Sequence, residues 1–214
     1  VNELNIEDYI KGIVPIEVSP WWPMEALKAQ SVVARSYSLY HMQFTTKKDF
    51  DFTCDIYSQV YAGQTVEKWR SNRAVDLTKG EVLAFQGSYL PAYYHATCGG
   101  ITEDAANLWN IDIAPLKPAV CGFCNGSPHY KWEKTITLKD ISLALNKNGV
   151  DINAIKGIEI TGRNLSGRVS GLKLICKDSS LNISAKDFRQ FIGPNIIRST
   201  NFQVEADPVN VYFK

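Results

Sequence analysis

A long helical pattern near the start of the chain, followed by closely spaced strand patterns near its end, limits the available folds. From Pro23 to about Met42, apolar residues recur every three or four positions, which predicts one long helix. Residues 155–184 read as short strands joined by turns, and hairpins are more evident than βαβ units. The sequence therefore predicts an α+β fold of mixed helices and antiparallel strands.

The long helix and the chain length also predict how the core is organised. The residues expected to form the buried stripe of the helix are Ala26, Ala29, Val33, Tyr37 and Tyr40. A second, short helix is predicted from Ala185 to Ile192, where Gly193 and Pro194 stop it. The 214 residues are enough for one large domain or two small ones. We expect a single domain over residues 1–214, with a smaller β-rich subdomain at about residues 129–185.

The net charge argues against a nucleic-acid partner, and the hydropathy argues against a membrane-spanning segment. The formal net charge is +1, so no strong field draws the protein to nucleic acid, and we expect no nucleic-acid partner. No stretch approaches the roughly 20 apolar residues that span a bilayer, so we expect no membrane-spanning segment. The sequence begins without an initiator Met or a signal peptide, which we interpret as a mature or trimmed start.

Five cysteines, an odd number, leave at least one thiol unpaired. His95-x-x-Cys98 and Cys121-x-x-Cys124 are separated by about the spacing of a zinc ribbon, and His129 is a further candidate ligand. A disulfide from Cys98 to Cys121 or Cys124, or one within the Cys121–Cys124 pair, is the preferred interpretation. A structural zinc at His95, Cys98, Cys121 and Cys124 and free thiols are the alternatives.

Eight short segments, taken in order, cover nearly the whole chain. The first contains Val14-Pro15-Ile16-Glu17, and the fifth contains the run from Tyr93 to Glu103. The segments are 8–17, 22–37, 59–63, 78–83, 93–103, 127–132, 162–169, and 188–193 with 199–202. In this order they resemble the stage II sporulation protein D family. One departure concerns metal: relatives carry a Cys before Gln-Val-Tyr that belongs to a zinc site in one branch, and this chain has Ser58 there.

The resemblance implies a cell-wall enzyme with an open glycan-binding cleft and no required cofactor. Members cleave MurNAc–GlcNAc bonds of peptidoglycan as lytic transglycosylases, best known on strands stripped of stem peptides, and leave 1,6-anhydroMurNAc ends. Alternatives are a muramidase using the same cleft and a non-catalytic glycan-binding amidase enhancer. The implied location is extracytoplasmic: the periplasm, the cell envelope or outside the cell. The implied partners are peptidoglycan glycan strands and a cell-wall amidase.

The resemblance carries the catalytic role to Glu17, and the chemistry agrees with it. Protonating a glycosidic oxygen needs a neutral carboxylic acid, and Ile16, Val18, Trp21 and Trp22 flank Glu17 in sequence. Such apolar surroundings would disfavour the carboxylate by desolvation. A hydrolase normally pairs two carboxylates, whereas a transglycosylase manages with one. The other acids considered as partners are Asp8, Glu25, Asp55 and Glu103.

Further residues are candidates for substrate binding. Lys28, Gln30 and Arg35 are polar members of the long helix that could bind sugar oxygens or hold Glu17 in place. Side chains that can hydrogen-bond to or stack on sugars, at positions matching the family, are Gln59, Tyr61, Tyr94 and Thr97. Trp109 could be a sugar platform, although core packing is preferred for it, as it is for Tyr37.

Overall fold

The computed structural model describes residues 2–45, 49–54 and 58–214. It contains helices and antiparallel sheets, which confirms the α+β class. The chain divides into two compact units, an N-terminal unit that ends at Tyr94 and a C-terminal unit that begins at His95. The single-domain organisation and the subdomain at about residues 129–185 remain predictions. Among the helices of the described residues, none combines the length and apolar character of a bilayer-crossing segment.

The N-terminal unit is mainly helical. Its helices and strands are α1 (Ile6–Lys11), α2 (Val14–Glu17), α3 (Met24–Phe44), α4 (Trp69–Leu77), β1 (Ala84–Phe85) and β2 (Ser88–Tyr89), with a 3-10 turn at Gln64–Val66. Helix α3 packs against α1 and α4. The core between them consists of Ile10, Ile13, Val14, Leu27, Ala34, Ala74 and Val75. Strands β1 and β2 form a short hairpin in which each strand has only two residues.

Helix α3 confirms the predicted long helix, but its buried face does not consist of the residues predicted for it. Ala29 is exposed, and the buried residues of α3 are Leu27, Ser31, Ala34, Arg35, Ser36 and Ser38. These serines turn their hydroxyls onto carbonyls of the preceding turn, as Ser31 does with Leu27 at 2.8 Å, so small polar side chains can be buried. The larger rings of Tyr37 and Tyr40 are left half-buried beside the packed face.

The C-terminal unit has two antiparallel sheets covered by helices. Its elements are α5 (Ala105–Trp109), β3 (Lys134–Thr137), α6 (Leu138–Lys147), β4 (Ile155–Arg163), β5 (Val169–Cys176), β6 (Ser180–Ser184), α7 (Ala185–Ile192), β7 (Val204–Ala206) and β8 (Asn210–Phe213), with a 3-10 turn at Ala114–Leu116. The strand orders are β3-β8-β7 and β4-β5-β6. Buried side chains alternate along β5, and with Leu145, Phe188 and Phe213 they form one core. The predicted helix from Ala185 to Ile192 is confirmed as α7.

Candidate active site

Glu17 is the last residue of the short helix α2, in the N-terminal unit. Pro15 lies in the first turn of α2, where its missing N–H is harmless, and Ile13 and Val14 bury the helix in the core. The Glu17 side chain is half-buried. Its carboxylate interacts with the hydroxyl of Tyr94 and helps to raise the pKa of that phenol. The helix therefore presents one carboxyl group to a phenol from the end of the same unit.

The buried side-chain amide of Gln59 also lies close to the Tyr94 hydroxyl. Gln59 is only 1% exposed, and its Nε2 lies 3.5 Å from the Tyr94 hydroxyl. The amide orientation is set from α3, because Ser38 Oγ donates to Gln59 Oε1 at 2.7 Å and Gln59 Nε2 donates to the Ala34 carbonyl at 3.2 Å. Burial, together with the charge of Glu17 and its hydrogen bond to the phenol, raises the pKa of Tyr94. The phenol therefore stays protonated and available as a donor.

Further aromatic side chains surround this pair. The Tyr37 ring lies edge-on to Tyr94 at 6.3 Å and 4.1 Å from the His41 ring. Burial and the charge of Glu17 raise the pKa of Tyr37, and burial raises the pKa of Tyr93 to about 12. Burial lowers the pKa of His41, whose Nε2 has no hydrogen-bond partner among the described residues. Glu17 is thus bordered by neutral rings that carry polar atoms.

Two cavities open beside this aromatic cluster. One, of about 230 Å³, is lined by Tyr37 and His41 together with Phe44, Thr45, Ser58 and residues 51–53. The larger, of about 690 Å³, is lined by Tyr9 and Tyr61 together with residues 2–4, 6, 42 and 49–54. Glu17 is not among the described residues that line either cavity. The open glycan cleft therefore stays a prediction.

The apolar pocket expected around Glu17 from its sequence neighbours is corrected by the structure. Ile16 and Trp22 are exposed, and Trp21 is 75% exposed, so these side chains face solvent. Arg70 holds this loop by donating to the carbonyls of Pro20 and Trp22. The groups whose pKa the charge of Glu17 raises belong instead to residues 37 and 94, which are distant in sequence. The exposed tryptophans form an apolar surface in the same unit.

The candidate residues of α3 differ in their surroundings. Lys28 pairs with Glu25 at 2.8 Å near the surface. The Nε2 of Gln30 is buried without a hydrogen-bond partner among the described residues. Gln30 and Tyr37 are seven positions apart and lie on one helix face. Gln30 therefore offers a free donor on the face that carries Tyr37.

Arg35 requires a correction, because its guanidinium is buried in the core. Arg35 is 1% exposed, and its Nε and Nη2 donate to the two carboxylate oxygens of Glu7 at 3.0 and 2.7 Å. Its remaining hydrogen bonds go to the carbonyls of Glu81 and Val75. A guanidinium used in this way is not available to sugar oxygens. We therefore assign Arg35 to the scaffold that joins α1, α3 and the end of α4.

Tyr61 and Thr97, the other candidates, lie in different units. The Tyr61 ring stacks on Tyr9 at 5.3 Å and lies directly over Gly12, where a Cβ would come within 2.3 Å of the ring. Thr97 belongs to the C-terminal unit, where its hydroxyl lies 2.8 Å from the hydroxyl of Ser127. The structure therefore brings Gln59 and Tyr94 to Glu17, and it gives Tyr61 a packing role beside the larger cavity.

The other acids considered as partners of Glu17 have separate surroundings. Glu25 is paired with Lys28, and Asp8 is exposed on α1. Glu103 accepts hydrogen bonds from Asn164 at 2.6 Å and from Ser166 at 3.0 Å within the C-terminal unit. Asp55 lies outside the described residues. Among the described residues, the charge of Glu17 instead acts on the phenols of Tyr37 and Tyr94.

Three of the four predicted zinc or disulfide residues lie together in the C-terminal unit. The sulfur atoms of Cys98, Cys121 and Cys124 are all within 4.8 Å of one another. His95 is exposed and is not part of this group among the described residues, and neither is His129. These three thiols are the residues that could hold a metal ion. A disulfide between two of them also stays a prediction.

Sequence reasoning missed the polar face of α3 next to the site. Tyr37 was expected in the core, and Ser38 and His41 were not considered. A usable signal exists, since residues 30, 34, 37, 38 and 41 follow helical spacing and place polar and aromatic groups on one face.

Comparisons with known proteins divide the chain into two parts. A family model described as stage II sporulation protein matches residues 1–85, and one for a domain of unknown function matches residues 122–212. An uncharacterized protein of Brachyspira hyodysenteriae is 35% identical over 206 residues, which are 96% of this chain and 55% of that protein.

Two Bacillus subtilis proteins are also similar to this chain. The amidase enhancer is 36% identical over 143 residues, covering 64% of this chain and 19% of that protein. Stage II sporulation protein D is 24% identical over 211 residues, covering 91% of this chain and 60% of that protein. The chain thus spans less than two thirds of the length of each of these relatives.

Proposed function

Because the chain belongs to the stage II sporulation protein D family through residues 1–85, we propose that it acts on the bacterial cell wall as a lytic transglycosylase. Its substrate is the glycan strand of peptidoglycan, cut at MurNAc–GlcNAc bonds, with strands stripped of stem peptides preferred. Its location is extracytoplasmic, where that substrate is found. The observation that carries the proposal is the Glu17 carboxyl group, held by Tyr94 and Gln59.

The proposed reaction uses Glu17 first as an acid and then as a base. The protonated carboxyl donates its proton to the glycosidic oxygen while the bond from that oxygen to C1 of MurNAc breaks. The resulting carboxylate accepts the proton of the C6 hydroxyl of the same sugar, and the C6 oxygen bonds to C1. A 1,6-anhydro ring and a free hydroxyl are formed, and no water is consumed. One carboxyl group is therefore sufficient.

Tyr94 supports this cycle as a positioning residue. Its hydroxyl donates to the Glu17 carboxylate and stabilises the charge that forms after proton transfer. Gln59 and Ser38 keep the phenol in one orientation, so little reorganisation accompanies the charge change. His41 lines the smaller cavity, and the exposed rings of Trp21 and Trp22 are suited to packing against sugar faces.

The test combines Glu17→Gln with a matched control on the same surface. Purified variants are incubated with intact and with peptide-stripped glycan, and the products are analysed by mass spectrometry. We expect Glu17→Gln to lose anhydro products by about 10²-fold or more, because the proton donor is gone. Glu25→Gln, which removes an exposed carboxyl paired with Lys28, should retain activity. Circular dichroism and thermal melting establish that both variants are folded.

Three outcomes would contradict the proposal. Full activity of Glu17→Gln would remove this residue from the reaction. Products heavier by one water molecule would identify a muramidase. Glycan retention without cleavage by the unaltered chain would leave only a binding role.

A second candidate function is stimulation of a cell-wall amidase by a non-catalytic glycan-binding chain. It is favoured by the similarity to the amidase enhancer of Bacillus subtilis over 143 residues. Adding the chain to a purified wall amidase and following peptide release would test it. Stimulation that survives in Glu17→Gln would support this function, whereas unchanged amidase rates would argue against it.

A further inference from the structure

Three thiols of the C-terminal unit meet although they come from two separate loops. Cys98 Sγ lies 3.4 Å from Cys124 Sγ, and Cys121 Sγ joins them within 4.8 Å. In a tetrahedral zinc site with Zn–S bonds of about 2.3 Å, sulfur atoms lie about 3.8 Å apart. The Cys98–Cys124 distance is slightly shorter than that value, and the two distances to Cys121 Sγ are at most 4.8 Å. Small side-chain rotations would therefore bring all three sulfur atoms to one ion.

Backbone contacts hold the two loops together. The N–H of Cys121 donates to the Gly100 carbonyl at 2.7 Å, and Ile101 and Val120 form an antiparallel bridge. Gly99 and Gly100 have φ values of 71° and 105°, which turn the chain directly after Cys98. The thiols are thus brought together by hydrogen bonds and turns of the polypeptide itself. Such support is typical of a built ligand site.

The Arg168 side chain, which is 11% exposed, lies next to the backbone that carries Cys98. The Arg168 guanidinium donates to the Cys98 carbonyl and, at 2.9 Å, to the Ile101 carbonyl. Three thiolates and one Zn²⁺ ion carry a net charge of −1. Arg168 also forms an ion pair with Glu103 at 4.0 Å, so its positive charge is already partly offset and would contribute only weakly to the charge balance of the thiolates.

We propose that Cys98, Cys121 and Cys124 bind one zinc ion as thiolates, with a water molecule completing the tetrahedron. Soft thiolate ligands favour zinc over hard divalent cations such as Mg²⁺ and Ca²⁺. The ion would join loops 98–101 and 119–124, which contain little regular structure. A disulfide would use two of the sulfurs and leave the third thiol beside it, where thiol–disulfide exchange is facile. The proposal does not depend on the catalytic function.

The test measures zinc in the whole chain, purified under thiol reductant and without chelator. We expect one zinc per chain by elemental analysis, and a lower melting temperature after removal of the ion by a chelator. Cys98→Ser, Cys121→Ser and Cys124→Ser should each lose the bound zinc. Cys54→Ser, which removes an exposed thiol from the N-terminal unit, is the matched control and should retain it.

Cobalt substitution keeps the proposal testable if a serine variant fails to fold. The unaltered chain loaded with Co²⁺ should show thiolate charge-transfer absorption and the visible bands of tetrahedral coordination. A fully reduced chain, with all five thiols titratable, that binds neither zinc nor cobalt at micromolar concentration would overturn the proposal. A disulfide between any two of the three cysteines in the protein as isolated would also overturn it.

Discussion

Replacing Glu7 by Gln should destabilise the N-terminal unit strongly, because Arg35 would then carry a buried charge without a counter-charge. The Glu7 carboxylate accepts two hydrogen bonds from Arg35 and one from the Gly80 N–H at 3.2 Å. The side chain of Arg35 is 1% exposed and that of Glu7 is 12% exposed, so water cannot replace the lost partner. The pair therefore behaves as a buried ion pair.

The size of the effect follows from this burial. Removing one partner of a buried pair costs about 3–5 kcal/mol, a large share of the roughly 5–15 kcal/mol that stabilises a typical domain. A loss of about 3 kcal/mol corresponds to a fall of about 6–12 °C in melting temperature for a chain of this size. Arg35→Met should cost a similar amount, since it leaves the largely buried Glu7 carboxylate without its counter-charge. The double variant should cost far less than the sum.

Urea unfolding followed by tryptophan fluorescence is a suitable assay, since Trp21, Trp22 and Trp69 all belong to the N-terminal unit. The double-mutant cycle should give a coupling energy of about 2 kcal/mol or more. Glu25→Gln is the matched control on α3, because its salt bridge is exposed and worth about 0–1 kcal/mol.

Two results would refute this reasoning. A coupling energy below about 0.5 kcal/mol would mean that the pair acts as a surface salt bridge. Loss of glycan retention in a folded Arg35 variant with unchanged stability would mean that the guanidinium binds substrate.

Two further predictions concern a phenol and an acid. Tyr94→Phe should lower the rate of glycan cleavage about 10- to 100-fold with little change in KM, because a hydrogen bond to the charged Glu17 is worth about 1.5–3 kcal/mol. Tyr89→Phe is the control and should cleave glycan at the unaltered rate. An unchanged cleavage rate in Tyr94→Phe would contradict the role of Tyr94. The Tyr212 hydroxyl and neighbouring backbone N–H groups lower the pKa of Asp207 from 3.8 to about 2. Stability from this group is therefore present above about pH 4 and lost as the pH falls towards 2, and Asp207→Asn should remove that part of the pH dependence in urea melts. An unchanged acid profile in Asp207→Asn would contradict the assignment.

Local patterns predicted the regular elements well, because the information lies within a few residues. The long helix appears as Met24–Phe44, and the short helix at Ala185–Ile192 was predicted with its observed bounds. Strands β4 and β5 lie within residues 155–184, where short strands were predicted. The stripe of α3 was misplaced, because hydropathy alone did not anticipate that serines and an arginine would be buried by hydrogen bonding. Strands β7 and β8 had no recognised signal.

The candidate site was predictable in part. The Val-Pro-Ile-Glu motif identified Glu17, and family positions identified Gln59 and Tyr94 as candidates beside it. Neither motif predicted that Tyr94 would donate to Glu17, or that Gln59 would orient the phenol from a buried position. The expected apolar wall of Ile16, Trp21 and Trp22 was wrong, since sequence neighbours of a turn can point to solvent.

By itself, the sequence determined the α+β class, the long helix, the position of the candidate acid and the family. These depend on local periodicity, turn residues and short motifs, which involve interactions between near neighbours. Only the tertiary structure decided which carboxylate neutralises Arg35, which phenol contacts Glu17 and which three thiols meet. Such pairings join residues that are far apart in sequence, and Glu17 and Tyr94 are separated by 77 positions. Burial makes each partner specific, because an unpaired polar group in the core is costly.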